Sequence, residues 1–228
     1  MTTARTHTTI RPAVTGDIDD IATVWHTGWR DAHLGRVPSS LLAHRQLGDL
    51  RVRVPVRLDT TSVASVGSCV AGFVVTHLDE IEQLYVHAAF RGTGIAAELL
   101  AHGEGVIVAR FDRAWLAVVD GNARARRFYE RHGWIDTGMF DNPAWMPDGT
   151  TIPVPSRRYE KHLADPARRA PHALRRASAL DPPTMHGMRD AEPAWWAQRT
   201  GTGRRCGSYG RWLPGTACAV DTADVTGP

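Results

Sequence analysis

The feature that most constrains this chain is a glycine loop, RGTG at residues 91–94, between a strand pattern and a helix pattern. Residues 80–87 alternate as a strand does, and residues 95–109 predict a helix that starts directly after the loop. Glycine lets backbone amides come close to a phosphate group, and the start of a helix adds partial positive charge. The loop therefore predicts an anion-binding site.

The same loop is compatible with a second kind of phosphate site. Gly92–Ala97 matches the G-x-G-x-x-A pattern of a dinucleotide-binding unit, and Asp112 follows at a suitable distance. However, Asp112 precedes a predicted strand instead of ending one, and three or four predicted strands come before the loop. A Walker A loop is excluded, because the chain contains no Gly-Lys-Ser/Thr. These points argue against a nucleotide-binding α/β unit.

The remaining patterns predict an α/β protein, with strands before and after each long helix. A sheet of this kind is mixed and carries helices on both faces. Within the strand at 80–87, Glu80, Glu82, Leu84 and Val86 are expected on one face, and Ile81, Gln83 and Tyr85 on the other. The predicted strands are 8–11, 61–66, 68–76, 80–87, 114–119, 134–139 and 155–161, and the predicted helices are 17–33, 39–47, 95–109 and 123–132.

The chain divides by composition near residue 164. Residues 164–228 contain nine Arg and no Lys against six Asp or Glu, so the net charge of +3 belongs to this segment and the rest is neutral. A neutral body gives no electrostatic basis for binding nucleic acid. We expect a folded domain at 1–163 and a largely disordered tail at 164–228.

Several classes of protein are not expected. The sequence shows no apolar run of membrane-spanning length and no secretory signal, so we expect a cytoplasmic protein without a membrane partner. Its three cysteines lack the paired spacing of a zinc site, and we expect no metal.

Two motifs carry a resemblance to a known family. Arg91-Gly92-Thr93-Gly94-Ile95-Ala96 resembles the acetyl-CoA signature Q/R-x-x-G-x-G/A of the GNAT superfamily, and the preceding LYVHAAF resembles its strand. A second motif resembles N-x-x-A-x-x-x-Y-x-x-x-G-[FW] and reads Asn122, Ala125, Tyr129, Gly133 and Trp134. Residues 24–42 also look like the corresponding segment of small bacterial members. The resemblance covers about residues 8–163.

The resemblance implies a mostly antiparallel mixed sheet whose fourth and fifth strands splay apart. Acetyl-CoA is expected to lie in that gap, with its pantetheine arm on strand backbone and its pyrophosphate on the loop amides. Arg91 would add charge-assisted contacts. Asn122 would contact the cofactor or cap its helix. The implied cofactor-binding residues are Leu84, Tyr85, Val86, Arg91, Gly92, Thr93, Gly94, Ile95, Ala96 and Asn122.

Three residues are candidates for the chemistry of acetyl transfer. By resemblance, Tyr129 is the general acid that protonates the departing thiolate, and its alternative role is that of a core aromatic. Glu80 and Glu82 are candidate bases, because some relatives carry a catalytic glutamate on this strand, at a place that matches Glu80. Their alternatives are a solvated strand edge and deprotonation through water without a dedicated base.

Trp25, Trp29 and His33 recur at i, i+4 and i+8 and are candidates for one wall of the acceptor pocket. Core packing is the alternative, and it is the favoured one for Trp25.

The predicted function is direct transfer of an acetyl group to a primary amine of a small molecule, a peptide N-terminus or a lysine, through a ternary complex. A catalytically silent acyl-CoA-binding module is the alternative, and a protein-interaction role of the tail is a third. The sequence leaves open whether the protein is a monomer or a homodimer.

Overall fold

The computed structural model describes residues 8–163, which contain a seven-stranded sheet of order β1-β2-β3-β4-β5-β7-β6. All neighbouring strands are antiparallel except β4 and β5. The predicted tail, 164–228, lies outside the described residues. The strands are β1 (Thr8–Pro12), β2 (Thr61–Val66), β3 (Cys69–His77), β4 (Glu80–Val86), β5 (Arg113–Val119), β6 (Ile135–Trp145) and β7 (Thr151–His162).

Helices cover both faces of this sheet, as predicted. One core joins α1, α2 and α3 to one face of the sheet and includes Ile21, Leu50 and Phe73. A second core joins α4 and α5 to the opposite face and includes Leu99 and Tyr129. We name these faces the α1 side and the α4 side. The helices are α1 (Ile18–His33), α2 (Ser39–Ala43), α3 (Leu47–Arg53), α4 (Ile95–Val108) and α5 (Ala123–Arg131).

The centre of the sheet opens between β4 and β5. Within the described residues these strands share one registered pair, Glu80 with Trp115, next to a bond from the Trp115 amide to the Asp79 carbonyl (2.9 Å). From there β5 pairs with β7 along its whole length, whereas β4 has only β3 as a partner in the part of the chain that the structure describes. The predicted splay between the fourth and fifth strands is therefore confirmed.

The predicted alternation along β4 is wrong. On β3, Val75 pairs with Gln83 and the next residue, Thr76, pairs with Ile81. Glu82 of β4 is therefore an extra residue without a partner position on β3. Such a β-bulge reverses the facing of the residues beyond it. Ile81 consequently shares the α4-side core with Leu84 and Val86, whereas Tyr85 packs on the α1 side.

Three other predicted elements differ from the structure. The helix expected at 39–47 ends at Ala43. A further helix, α3, which the sequence did not predict, starts at Leu47, where the Asp49 carboxylate accepts from the Gln46 amide (2.9 Å). The last two strands are longer than predicted, since β6 and β7 pair with each other from Ile135 to Trp145. This pairing holds Asp141-Asn142-Pro143 in a strand despite their low β propensity.

None of the helices within residues 8–163 has the length and apolar content that crossing a membrane requires.

Candidate active site

The glycine loop leads into α4 with a backbone that L-residues rarely adopt. Gly92 has φ 81° and Gly94, the residue before α4, has φ 96°. A Cβ added at either position would meet no protein atom within 4 Å. Glycine is therefore required here by the backbone conformation and not by crowding within the protein.

The amides of this loop form an anion-binding surface. Within the described residues, the main-chain amides of 92–96 donate no hydrogen bond, whereas those of Ala97 and Glu98 both donate to the Gly94 carbonyl. Free amides at a helix start carry partial positive charge and favour anions. The Arg91 amide, also predicted to bind the pyrophosphate, instead donates to the Ala88 carbonyl (3.2 Å).

The side chain of Arg91 lies next to the loop and is shared with α1. Its Nη2 is 2.7 Å from Oδ2 of Asp31, and both side chains are partly exposed. A surface pair of this kind contributes little stability and leaves the guanidinium able to contact an anion as well.

Tyr129 is a buried aromatic of the α4-side core, 9% exposed. Its ring lies 6.1 Å from that of Trp134 and 6.2 Å from that of Tyr159. Within the described residues its hydroxyl makes no hydrogen bond, and burial raises its pKa above the ordinary value of a phenol. The phenol is thus protonated throughout the neutral range and able to donate.

Tyr85 of β4 connects Tyr129 to the α1 side. Burial raises the pKa of the Tyr85 phenol, and the charge of ionised Tyr129 raises it further, so the two phenols lie within electrostatic range. The Tyr85 ring packs 5.9 Å from that of Phe73. A Cβ at Gly28 of α1 would lie 2.5 Å from the Tyr85 ring, so the helix rests directly on this tyrosine.

Asn122 caps α5, the helix that carries Tyr129. Its Oδ1 accepts from the Ala125 amide (3.1 Å). Such a cap stabilises the first turn of a helix by about 1 kcal/mol. The capping alternative is confirmed, and contact with the cofactor stays a prediction.

The two candidate bases occupy different surroundings. Glu82, at the bulge, accepts from Nε of Arg57 (2.8 Å) in the 3-10 segment Val54–Thr60. Glu80 lies at the closed end of the splay, where it is registered with Trp115.

The three candidates for the acceptor wall lie on one stretch of α1, with little exposed surface on the tryptophans. Trp25 and Trp29 are each 7% exposed and belong to the α1-side core. Trp25 packs edge-on against Phe73 (6.1 Å), so core packing holds for it, as the sequence favoured. Trp29 stacks on His33 with ring centroids 4.5 Å apart and planes 7° apart.

His33 is held neutral by its surroundings. Burial lowers its pKa to about 4, despite a hydrogen bond from Nδ1 to the Trp29 carbonyl (2.9 Å). The carbonyl oxygen can only accept, so Nδ1 carries the hydrogen and Nε2 keeps its lone pair.

This shift predicts a pH dependence of stability. Between about pH 6.5 and pH 4 the unfolded chain binds a proton at His33 that the folded protein does not, so stability falls as the pH falls. We expect His33→Gln to remove about 2–3 kcal/mol of this acid destabilisation. Urea unfolding of the wild type and His33→Gln at pH 7.5 and pH 4.5 measures this difference. An equal loss of unfolding free energy in the two proteins at the lower pH would contradict the prediction.

The structure adds residues to this region that the sequence did not indicate. The guanidinium of Arg53 lies over two rings, 5.5 Å from Trp25 and 5.2 Å from Trp145. Arg45, 5% exposed, donates to the carbonyl of Trp145 (2.6 Å), one hundred positions away in the sequence. No local sequence signal marks these residues, because arginine is common along the whole chain and only tertiary folding brings them together.

The comparisons with known proteins agree with this geometry. Residues 26–134 match the model of the family described as Acetyltransferase (GNAT) family. No curated protein matches the chain.

Solved structures share the fold at low sequence identity. A GCN5-related N-acetyltransferase of Rhodopseudomonas palustris is 18% identical, with a TM-score of 0.55, over 68% of this chain and 95% of that one. An N-acetyltransferase of Staphylococcus aureus is 18% identical, with a TM-score of 0.52, over 69% and 99%. Ard1 of Thermoplasma volcanium is 19% identical, with a TM-score of 0.51, over 69% and 99%.

These structures support the fold, and the family model supports acyl transfer as the general chemistry. Residues 26–134 therefore form a domain that matches the GNAT acetyltransferase family, and the described residues share the fold of these solved structures.

Proposed function

We propose that this protein transfers an acetyl group from acetyl-CoA directly to a primary amine, with both substrates bound at once. The observation that supports this most is the splay of β4 from β5 beside a loop whose amides at 92–96 donate no hydrogen bond within the described residues. An opening between strands next to an anion site suits a long cofactor with a phosphate at one end and a thioester at the other.

The residues present fit acetyl-CoA. Leu84–Val86 pair with β3 on one edge, and their other edge faces the splay, so main-chain groups there are available to the amides of the pantetheine arm. The loop amides and Arg91 would hold the pyrophosphate. Acetyl-CoA supplies an acyl carbon that is activated by a thiolate leaving group.

The chain supplies a proton donor and a proton acceptor for the transfer. Glu82 takes up the proton that the acceptor ammonium loses and later releases it to solvent. The free amine would form a C–N bond to the acyl carbon, and the nitrogen then loses its second proton to solvent. As the C–S bond breaks, the Tyr129 hydroxyl gives its proton to the departing sulfur and regains one from solvent. The products are an N-acetyl amide, free CoA and one released proton.

The test is release of free thiol from acetyl-CoA by the full chain, measured with and without a panel of primary amines. We expect release that depends on the added amine and an acetylated product of matching mass. Tight binding of CoA without amine-dependent release would support the silent acyl-CoA-binding module instead.

The choice of Glu82 as the base makes a separate prediction. Glu82 shares the α1 side with the aromatic candidates for the acceptor wall, whereas Glu80 lies where the splay is closed. We expect Glu82→Gln to lower kcat/KM about tenfold to 100-fold and to leave the Kd of CoA unchanged.

Glu80→Gln, two residues away on the same strand, is the matched control, and we expect its kcat/KM to stay within about twofold of the wild type. Equal effects of the two substitutions would instead favour deprotonation through water without a dedicated base.

A further inference from the structure

Arg45 is a buried cation in the loop between α2 and α3. It is 5% exposed and donates to two carbonyls, from Nη1 to His44 (2.9 Å) and from Nη2 to Trp145 (2.6 Å). Within the described residues no carboxylate lies within 4.0 Å of it. Burial lowers its pKa to about 10, which leaves it charged at neutral pH.

A buried charge of this kind is costly unless an opposite charge or enough hydrogen bonds compensate it. A guanidinium has five N–H donors, and two of those of Arg45 reach carbonyls. Asp49 is the acid whose charge acts on Arg45, but its carboxylate accepts from the Gln46 amide. Among residues 8–163, much of the donor capacity of Arg45 is therefore unused.

A second buried donor lies in the same region. Nε1 of Trp25 is buried and has no hydrogen-bond partner within the described residues. The guanidinium of Arg53 lies over the rings of both Trp25 and Trp145. The positive charge of Arg53 also lowers the pKa of Arg45, so Arg53 lies near both Trp25 and Arg45. We name Trp25, Arg45, Arg53 and Trp145 the Arg45 cluster.

The charges and donors of this cluster call for a ligand that accepts. Arginine and the indole N–H can only donate, so a ligand group that satisfies them must carry acceptor oxygens. A carboxylate offers about four lone-pair positions, which is enough to accept from two N–H groups on one edge of a guanidinium and from an indole N–H.

The cluster lies on the α1 side of the sheet, and ring contacts connect it to Tyr85 of β4. Trp25 contacts Phe73 (6.1 Å between ring centroids), and Phe73 contacts Tyr85 (5.9 Å). The Tyr85 phenol is within electrostatic range of both Arg45 and Tyr129. An acceptor held at the cluster would therefore extend toward the side of the splay where Tyr129 lies.

We propose that the Arg45 cluster binds a carboxylate of the acceptor, so that the preferred substrates are amines that also carry a carboxylate, such as amino acids. This inference rests on the proposed acetyltransferase function. A purely structural Arg45 would instead only tie the β6–β7 hairpin to the loop before α3 through its two carbonyl contacts.

The first test compares acceptors that differ only in the carboxylate, namely α-amino acids and their amides, with the full-length wild-type protein. We expect kcat/KM to be at least about tenfold higher for the acids, mainly through KM. Equal rates for acids and amides would overturn the proposal and leave the acetyltransferase function standing.

Variants then assign the preference to the cluster. We expect Arg45→Met, which keeps the length and removes the charge, to raise KM for the acids about tenfold and to leave the amides and the Kd of CoA unchanged. Equal losses for acids and amides would show the structural role and overturn the proposal. Arg51→Met on α3 is the matched control, since Arg51 pairs with Asp19 on the surface. If Arg45→Met does not fold, Arg45→Lys takes the place of that variant, because lysine keeps the positive charge but lacks the planar, bidentate guanidinium.

A binding measurement separates this inference from the proposed function. Titration of the wild-type protein with an N-acetyl amino acid, followed through the Trp25 indole N–H signal in NMR, detects the carboxylate without any turnover. We expect a saturable shift that Arg45→Met abolishes, while the N-acetyl amino acid amide leaves the signal unmoved. A shift without acetylation of any amine would support the site and contradict the enzyme, and no shift would overturn the site.

Discussion

Replacing Gly94 by valine will raise the Kd of CoA on the order of 100-fold. The loss corresponds to about 3 kcal/mol, the value of one or two hydrogen bonds to a charged group. The Cβ at this position meets no protein atom within 4 Å, so the new side chain would occupy the space in which a pyrophosphate approaches the amides. Isothermal titration with CoA measures the change.

Strain has to be separated from this loss of binding. A β-branched residue at φ 96° costs about 1–2 kcal/mol of stability wherever it occurs. Gly67 in the β2–β3 turn also has positive φ and no protein atom within 4 Å of an added Cβ. Gly67→Val should therefore lose stability and bind CoA like the wild type. A normal Kd for a folded Gly94→Val would exclude the loop as the pyrophosphate site.

Replacing Tyr129 by phenylalanine will lower kcat on the order of 100-fold and leave the Kd of CoA within about twofold of the wild type. This is the lower end of what a positioned proton donor contributes. Its hydroxyl makes no hydrogen bond within the described residues, so the substitution should cost little stability. Steady-state kinetics with titration of CoA and thermal unfolding measure the three quantities.

Tyr159 provides the matched control for this substitution. It belongs to the same ring cluster, but its hydroxyl donates to Glu130 (2.9 Å) and accepts from Arg126 (3.2 Å). Tyr159→Phe should lose about 1–2 kcal/mol of stability and keep its kcat. An unchanged kcat in Tyr129→Phe would assign Tyr129 to the core alone.

The raised pKa of Tyr129 gives this prediction a pH signature. A phenol at its ordinary pKa would be half ionised near pH 10, and burial moves that ionisation to higher pH. The Tyr129 contribution to kcat should therefore persist through pH 10. The ratio of kcat between wild type and Tyr129→Phe, followed from pH 7 to pH 10.5, should stay constant.

Local patterns predicted the helices near the site well because each carries its own start and stop signals. The loop at 91–94 places the start of α4 at Ile95, and Asn122 caps α5 as one of its two predicted roles. By contrast, Asp49 starts a helix beyond the end of the helix predicted at 39–47, and the β6–β7 hairpin extends through residues with poor strand propensity. A cap acts within three residues, whereas strand pairing depends on a distant partner.

The candidate site divides in the same way. By itself the sequence determined the loop, the helix that follows it and the position of Tyr129, because turns, caps and motif spacing act over a few residues. The tertiary structure decided the bulge at Glu82, the insertion of β7 between β5 and β6, and the meeting of Arg45 with Trp145. These features depend on which strands pair and which side chains meet across the sheet, and short-range sequence patterns carry no information about contacts between residues one hundred positions apart.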